Sequence, residues 1–270
     1  MTMQNLENDL ERLVDISRRA GFAILEWYDR DMGITQKADD SPLTRADLAS
    51  HELIVAELTQ HWPDIPVLSE ESADIPWQTR QSWKTYWLVD PLDGTKEFIN
   101  HNGEFTVNIA LIRDHQAVLG IVYVPVTGVC YFAARGDGAW RQDNDNEAIA
   151  IEVRSPSAEP AVIVGSRSHA NPELSSQLDK LGQHEMISMG SSLKFCLVAE
   201  GRADFYPRTG PTSEWDTAAA QAVVEAAGGR VVKIDGTPLT YNTKDSYLNP
   251  YFFVIGDQVR EWLLPFQDQA

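Results

Sequence analysis

The most constraining stretch of this 270-residue chain runs Trp87-Leu88-Val89-Asp90-Pro91-Leu92-Asp93-Gly94-Thr95-Lys96-Glu97-Phe98. The apolar run Tyr86 to Val89 reads as a short buried strand. It stops at Asp90, and Pro91 forbids a normal ladder bond. Asp93 follows three residues after Asp90, then Gly94 and the hydroxyl of Thr95. A strand therefore delivers two carboxylates, one permissive backbone position and one hydroxyl to a single turn. Asp-Pro and Asp-Gly are also ordinary turn chemistry, so the stretch needs partners elsewhere to mean more. Oxygen donors of this kind suit hard divalent cations, which assist phosphoryl transfer.

On the N-terminal side, Leu6, Leu10, Leu13, Val14, Ala20, Ile24 and Tyr28 recur at helical spacing and predict one long amphipathic helix. The segment Thr35 to Pro42 is polar and turn-rich. Thr44-Arg45-Ala46-Asp47 matches a capping box opening a second helix, with Leu48, Ile54, Val55 and Leu58 on one face. Asp47 is thus a cap by its own setting, and a cap also holds a carboxylate rigidly. Pro66 to Ser69 reads as a strand running into Glu70 and Glu71, of which at most one points into a given site. Ser72 to Ser82 reads as a polar loop. Beyond Phe98, strands at Phe105 to Leu111, Ala117 to Val124 and Val129 to Ala133 form an antiparallel meander. The chain then turns polar from Asn144 to Pro160. After that, strand and helix alternate to a last helix at Gln258 to Leu264, which argues an α/β half. The expected division is 1–155, carrying most of the acidic candidates, and 156–270, the two making one catalytic unit.

Forty acidic residues against 22 basic leave a net charge of −18, which argues against a nucleic-acid partner or an electrostatic hold on anionic lipid. It leaves room for an anionic small molecule, because a bound cation inverts the local field. Cys130 and Cys196 sit in apolar sequence and read as reduced core residues. No signal-peptide pattern and no apolar run of membrane-spanning length appear, so the expected location is the cytoplasm.

Two features of the second half add chemistry. Gly190-Ser191-Ser192-Leu193-Lys194 is a glycine-hydroxyl turn opening a helix with a lysine in its first turn, suited to an anion or simply to a serine cap. Ser213-Glu214-Trp215-Asp216 places Asp216 at a helix start, before small residues that permit close packing. Glu70, Asp90, Asp93 and Asp216 then form a set of carboxylates at strand ends and helix starts, rigid places for ligands. With no histidine or cysteine beside them, the expected ion is Mg²⁺, with Mn²⁺ as a substitute.

Leu-Ser-Glu-Glu at 68–71, Asp-Pro-Leu-Asp-Gly-Thr at 90–95 and Trp-Asp-x-Ala-Ala at 215–219 resemble the Mg²⁺-dependent, Li⁺-sensitive phosphatases of the inositol monophosphatase superfamily. Within it, Lys96-Glu97-Phe98, the run Asn102 to Ala110, Ser166-Arg167-Ser168-His169 and the run Gly190 to Gly201 resemble the bacterial CysQ-type 3′(2′),5′-bisphosphate nucleotidases. The resemblance implies a layered αβαβα sandwich, with an antiparallel sheet in the N-terminal half and a mixed sheet in the C-terminal half. It implies two Mg²⁺ ions. One would be held by Glu70, Asp90 and the Leu92 carbonyl, the other by Asp90, Asp93 and Asp216, with a third, weaker ion near Glu70. Asp47 and Thr95, with Glu70, would serve the attacking water, and the amides of Gly94 and Thr95 would face the phosphate. Ser191, Ser192, Lys194 and Arg208 would meet the rest of a small nucleotide. The reaction implied is removal of the 3′-phosphate of 3′-phosphoadenosine 5′-phosphate, or of its sulfated analogue, in sulfur metabolism. Some relatives are attached to the inner membrane on its cytoplasmic side; nothing in this acidic chain shows that, and its oligomeric state is unreadable.

Three rivals stand beside this reading. An inositol or sugar phosphatase shares the turn but lacks the nucleotidase-like stretches. Aspartyl-phosphate chemistry needs Asp-x-Asp, whereas the spacing here is Asp-x-x-Asp. A binding protein that kept the fold would have little reason to keep Glu70, Asp90, Asp93, Thr95 and Asp216 together.

Overall fold

The computed structural model describes residues 3–30, 33–36, 42–166 and 172–269. The long helix expected at the N-terminus is α1, Met3–Tyr28. Two short strands, β1 (Thr35–Gln36) and β2 (Pro42–Leu43), precede α2, Arg45–His61. The capping box forms as read: Thr44 accepts from Ala46 N, and the Asp47 carboxylate accepts from Thr44 N. The buried face of α2 is Ala46, Asp47, Ser50, Ile54 and Leu58. Leu48, expected on that face, is exposed, because the helix turns its polar Asp47 and Ser50 inward instead.

The first sheet contains β3 (Val67–Ser69), β4 (Thr85–Asp93), β5 (Thr106–Arg113), β6 (Gln116–Val124), β7 (Val129–Ala134), β8 (Gly138–Asp143) and β9 (Ile149–Ile151), in that spatial order. All neighbours are antiparallel except β3 and β4. A short helix, α3 (Trp77–Arg80), lies between β3 and β4, and α4 (Thr95–Ile99) lies between β4 and β5. The region 72–82 is therefore not wholly a loop; it makes a helical turn and buries Arg80. β9 occupies sequence expected to be a polar connection.

The second sheet is mixed. Its strands are β10 (Ala161–Ser166), β11 (His184–Met189), β12 (Phe205–Arg208), β13 (Arg230–Lys233) and β14 (Phe252–Ile255), in the order β11-β10-β12-β14-β13. Parallel pairs join β10 to β11 and β12, and antiparallel pairs join β14 to β12 and β13. The helices are α5 (Pro172–Asp179), α6 (Leu193–Ala199) and α7 (Ala218–Ala226). The expected last helix at 258–264 does not form. Asp257 draws Val259 N into a local turn, Trp262 anchors on Phe205, and only a 3₁₀ turn, Leu264–Gln269, follows.

Alternation on β4 explains the layering. Trp87 and Val89 pack in a core with Leu13, Ile24 and Ile54 of α1 and α2. Tyr86 and Leu88 pack in the opposite core, with α6 and α7. A third core, of Phe205, Phe253, Trp262 and Phe266, covers the far face of the second sheet. The result is helices, sheet, helices, sheet, helices, the sandwich expected. The middle layer sits close: a Cβ on Gly120 of β6 would lie 2.0 Å from the Ala219 carbonyl oxygen of α7. That contact fixes α7, and with it Asp216 just before.

Candidate active site

Strand pairing brings the acids of the first half together. β3 runs parallel to β4 with Ser69 opposite Val89, so Glu70 leaves its strand beside Asp90. β3 runs directly into Glu70 and Glu71 as read, and the two acids open a 3₁₀ turn, Glu70–Ser72. On the other side, Asp90 pairs with Asn108 and Asp93 with Thr106. Pro91 and Leu92 on β4 therefore face Val107 alone on β5, which is a bulge. It absorbs Pro91, whose missing N–H would break a regular ladder. It also has a consequence for the site. Residues three apart on a regular strand point to opposite faces, whereas the bulge gives Asp90 and Asp93 partners on a common face of β5. That face is the one that meets α7, and Asp216 closes the 3₁₀ turn Glu214–Asp216 just before it.

The acids are fixed oxygen by oxygen. Leu92 N donates to Asp90 Oδ1 at 3.1 Å. Ser213 N donates to Asp216 Oδ2 at 2.8 Å. Asp93 Oδ2 accepts from Ser192 N at 2.6 Å, Ser192 Oγ at 2.7 Å and Asn108 Nδ2 at 3.3 Å. Among the described residues these acids do not close into a three-ligand cage. Their convergence shows in the electrostatics instead. Burial first, then the charges of Glu70, Asp93 and Asp216, hold the Asp90 carboxyl well above the usual carboxylate range. Asp216 is pushed up in the same way, by burial and then by Asp93 and Glu70. Neighbouring carboxylates thus raise both Asp90 and Asp216, a field that asks for a cation.

Asp47 and Thr95 meet: Thr95 Oγ1 donates to Asp47 Oδ1 at 3.2 Å, while Asp47 Oδ2 takes both Thr44 donors. Gly94 opens α4 at φ +95°, a left-handed position that glycine adopts without strain. Sequence reasoning passed over three supports. Ser50 Oγ donates to Pro91 O at 2.8 Å, holding the bulge from α2. His51 Nδ1 lies 2.8 Å from Ser69 Oγ, next to Glu70. Asn108 bridges Asp93 and Ser192, and its Oδ1 is buried without a hydrogen-bond partner. The available signal was polar Thr106 and Asn108 inside an otherwise apolar strand.

A cleft opens beside the acids, lined by Asp93, Gly94 and Asp216 together with Ser191, Lys194 and Arg208 and the rings of Phe195, Tyr206 and Phe252. Ser192 is placed differently from the expectation. It is buried, and its hydroxyl is engaged with Asp93, the Asp216 carbonyl and Asn108, so it joins the two halves instead of facing the cleft. Lys194 Nζ donates to Ser191 O at 2.6 Å and lies 5.5 Å from the centre of the Tyr206 ring. Burial pushes its ammonium down to about 8, against the opposing pull of Asp93. Arg208 Nη2 donates to Pro211 O at 2.9 Å. Arg167, Ser168 and His169, and most of the segment from Thr35 to Pro42, lie outside the described residues.

A sequence profile described as the inositol monophosphatase family matches residues 5–260. The chain belongs to the inositol monophosphatase family. It is 53% identical over 248 residues to the 3′(2′),5′-bisphosphate nucleotidase CysQ of Shigella flexneri, covering 91% of this chain and 98% of that one. The CysQ protein of Escherichia coli K12 is 52% identical over the same coverage. Among solved structures, CysQ from Bacteroides thetaiotaomicron superposes with a TM-score of 0.80 at 42% identity, covering 92% of this chain and 97% of that one. An inositol monophosphatase from Anabaena superposes with a TM-score of 0.76 at 25% identity, covering 96% and 94%. This member of the family is a phosphatase, and its sequence lies closer to the CysQ relatives than to that inositol monophosphatase.

Proposed function

We propose that this chain removes the 3′-phosphate of 3′-phosphoadenosine 5′-phosphate, giving AMP and phosphate, with Mg²⁺ as its cofactor. The observation that carries the reading is one cleft lined both by acids, Asp93 and Asp216, and by the cations Lys194 and Arg208 with aromatic rings. A substrate with one reacting phosphate, a second anionic group and a flat base fits such a cleft. The likeness to the 3′(2′),5′-bisphosphate nucleotidases CysQ supports the nucleotide over an inositol phosphate.

The donor set fits a hard divalent cation. It is all oxygen, with one oxygen of Asp90, Asp93 and Asp216 already anchored by protein donors. Glu70, Asp90 and the Leu92 carbonyl would hold one Mg²⁺, and Asp90, Asp93 and Asp216 a second; Mn²⁺ would substitute. Bound there, the ions supply neutralisation of phosphate charge and a water that ionises near neutral pH. The protein groups do the rest by position. Asp47 Oδ1 orients the Thr95 hydroxyl toward the attacking water and is placed to take its proton. Gly94 lets the backbone approach the phosphate where a side chain would crowd Glu104 O and Glu97 Oε2. Lys194, Arg208 and Ser191 hold the 5′-side, and Ser192 keeps Asp93 aimed. Phosphoryl transfer needs little more from a protein than such positioning. A role in recycling a by-product of sulfate assimilation, with 3′-phosphoadenylyl sulfate as a second substrate, follows the same reading. The reduced, buried Cys130 and Cys196 suit a cytoplasmic enzyme.

The test is phosphate release from 3′-phosphoadenosine 5′-phosphate and from inositol 1-phosphate, side by side at equal Mg²⁺. The nucleotide should win by at least tenfold in kcat/KM; preference for the inositol overturns the substrate assignment.

A further inference from the structure

The Glu70 turn belongs to the first half and the Asp216 turn to the second, and one buried cluster outside the cleft ties them together. Arg80 of α3 is only 1% exposed. Its guanidinium lies between the rings of Trp77, at 4.8 Å, and Tyr247, at 4.1 Å. Its fork points into the second half: Nη1 donates to Asn242 Oδ1 at 2.7 Å and to Lys244 O at 3.2 Å, and Nη2 donates to Asp245 O. Asn242 answers, donating from Nδ2 to Arg80 O at 2.7 Å. Its N–H donates to the Glu214 carboxylate, at 3.0 and 2.9 Å to the two oxygens.

Tyr247 makes the second link. Its hydroxyl is 2.7 Å from Ala73 O and 3.2 Å from Ile75 O, just past the 3₁₀ turn that carries Glu70. Its carbonyl accepts from Glu214 N at 2.9 Å, and its ring lies 5.2 Å from that of Trp215. The same residue thus grips the tail of the Glu70 turn and the head of the Asp216 turn.

Burying a guanidinium is a poor route to stability alone, because desolvation offsets the gain and an apolar side chain packs as well. The carboxylate nearest Arg80 is Asp245 at 3.6 Å, itself 82% exposed and so weakly binding. What the rigid fork does offer is fixed geometry. We propose that Arg80, Asn242 and Tyr247 are positioning residues that set the separation between the Glu70 and Asp216 turns, and so the affinity of the acidic site for its divalent cation. The inference rests on the metal assignment given under the proposed function.

The experiment is Mn²⁺ titration followed by electron paramagnetic resonance, on wild type, Tyr247→Phe, Arg80→Lys and Asp216→Asn. Metal-free melting temperatures, and kcat across a Mg²⁺ series, are measured on each. Tyr247→Phe deletes one hydroxyl and keeps the ring, and should weaken Mn²⁺ binding roughly five- to tenfold, the worth of one hydrogen bond. Its metal-free melting point should stay within about 3 °C of wild type, and excess Mg²⁺ should restore kcat, which a general loss of stability would not produce. Arg80→Lys keeps the charge, loses the fork and should weaken binding at least as much; should it fail to fold, Tyr247→Phe carries the test. If Asp216→Asn binds as many Mn²⁺ ions as wild type, the metal assignment is wrong. If Asp216→Asn loses an ion while Tyr247→Phe keeps wild-type affinity, the metal assignment stands and the clamp is overturned.

Discussion

Thr95→Ala separates two duties that Asp47 carries on different oxygens. Asp47 Oδ2 belongs to the helix cap, taking Thr44 N at 2.8 Å and Thr44 Oγ1 at 2.5 Å. Oδ1 takes Thr95 Oγ1 at 3.2 Å. Removing the Thr95 hydroxyl leaves the cap intact, so the stability loss should be that of one partly buried hydrogen bond, about 1 kcal/mol. If the pair handles the water's proton, the rate should fall by roughly 10²- to 10⁴-fold, the usual range for general acid–base groups. A hundredfold loss corresponds to about 2.7 kcal/mol of barrier, well above the stability term. Thr95→Ser keeps the hydroxyl and should retain most of the rate. Asp47→Ala removes both duties and should also cost about 1 kcal/mol of helix cap. The assay is initial phosphate release at saturating Mg²⁺, with thermal melts on the same preparations. A Thr95→Ala enzyme within threefold of wild type and with an unchanged melt would refute the assignment of the hydroxyl to the reaction.

Other outcomes follow from the buried acids and from packing. Asp90 and Asp216 have folded pKa values above their unfolded ones, so the stability they contribute without metal is full below about pH 4 and is lost as pH rises through the raised values. Glu214, pushed up to about 7 by burial, adds the same sign between about pH 4.5 and 7. Chelator-treated protein should therefore melt lower at pH 8 than at pH 5.5, and added Mg²⁺ should raise the melt more at pH 8; scanning fluorimetry at both pH values decides it. Gly120→Ala puts a methyl 2.0 Å from the Ala219 carbonyl oxygen, and should destabilise by about 3 kcal/mol or fail to fold, as measured by urea unfolding.

Where one physical cause dominated, the sequence was readable. The period of α1, the capping box of α2 and the meander from β5 to β7 follow from burial pattern and turn chemistry, and all three form. The acids are legible as a set because the sequence sets each at an apparent strand end or helix start, although β4 runs on through Pro91 to Asp93 and keeps Asp90 inside it. Their supports are not. Leu48 reads as core only if the inward face of α2 is apolar, but that face serves Asp47 and Ser50. Arg80 reads as surface because arginine is seldom buried; here two rings and an asparagine from 162 residues away enclose it. The terminal helix does not form because Asp257 also accepts from Ser157 N and Trp262 stacks on Phe205, tertiary contacts that helical periodicity does not register. Ser192 reads as an anion contact or a helix cap, yet its partner Asp93 is 99 residues away in sequence. Local rules find the reactive groups, and only the fold reveals what aims them.

The central claim is that Asp90, shared between two ions, makes Mg²⁺-dependent removal of a 3′-phosphate possible. Its most direct test follows the products of 3′-phosphoadenosine 5′-phosphate by phosphorus NMR, with wild type and Asp90→Asn, across a Mg²⁺ titration. The account predicts AMP and inorganic phosphate from wild type only when Mg²⁺ is present, and at least a 10³-fold loss in a folded Asp90→Asn protein, given the several kcal/mol a metal ion supplies to the transition state. Turnover surviving in Asp90→Asn, or release of the 5′-phosphate instead, would contradict it.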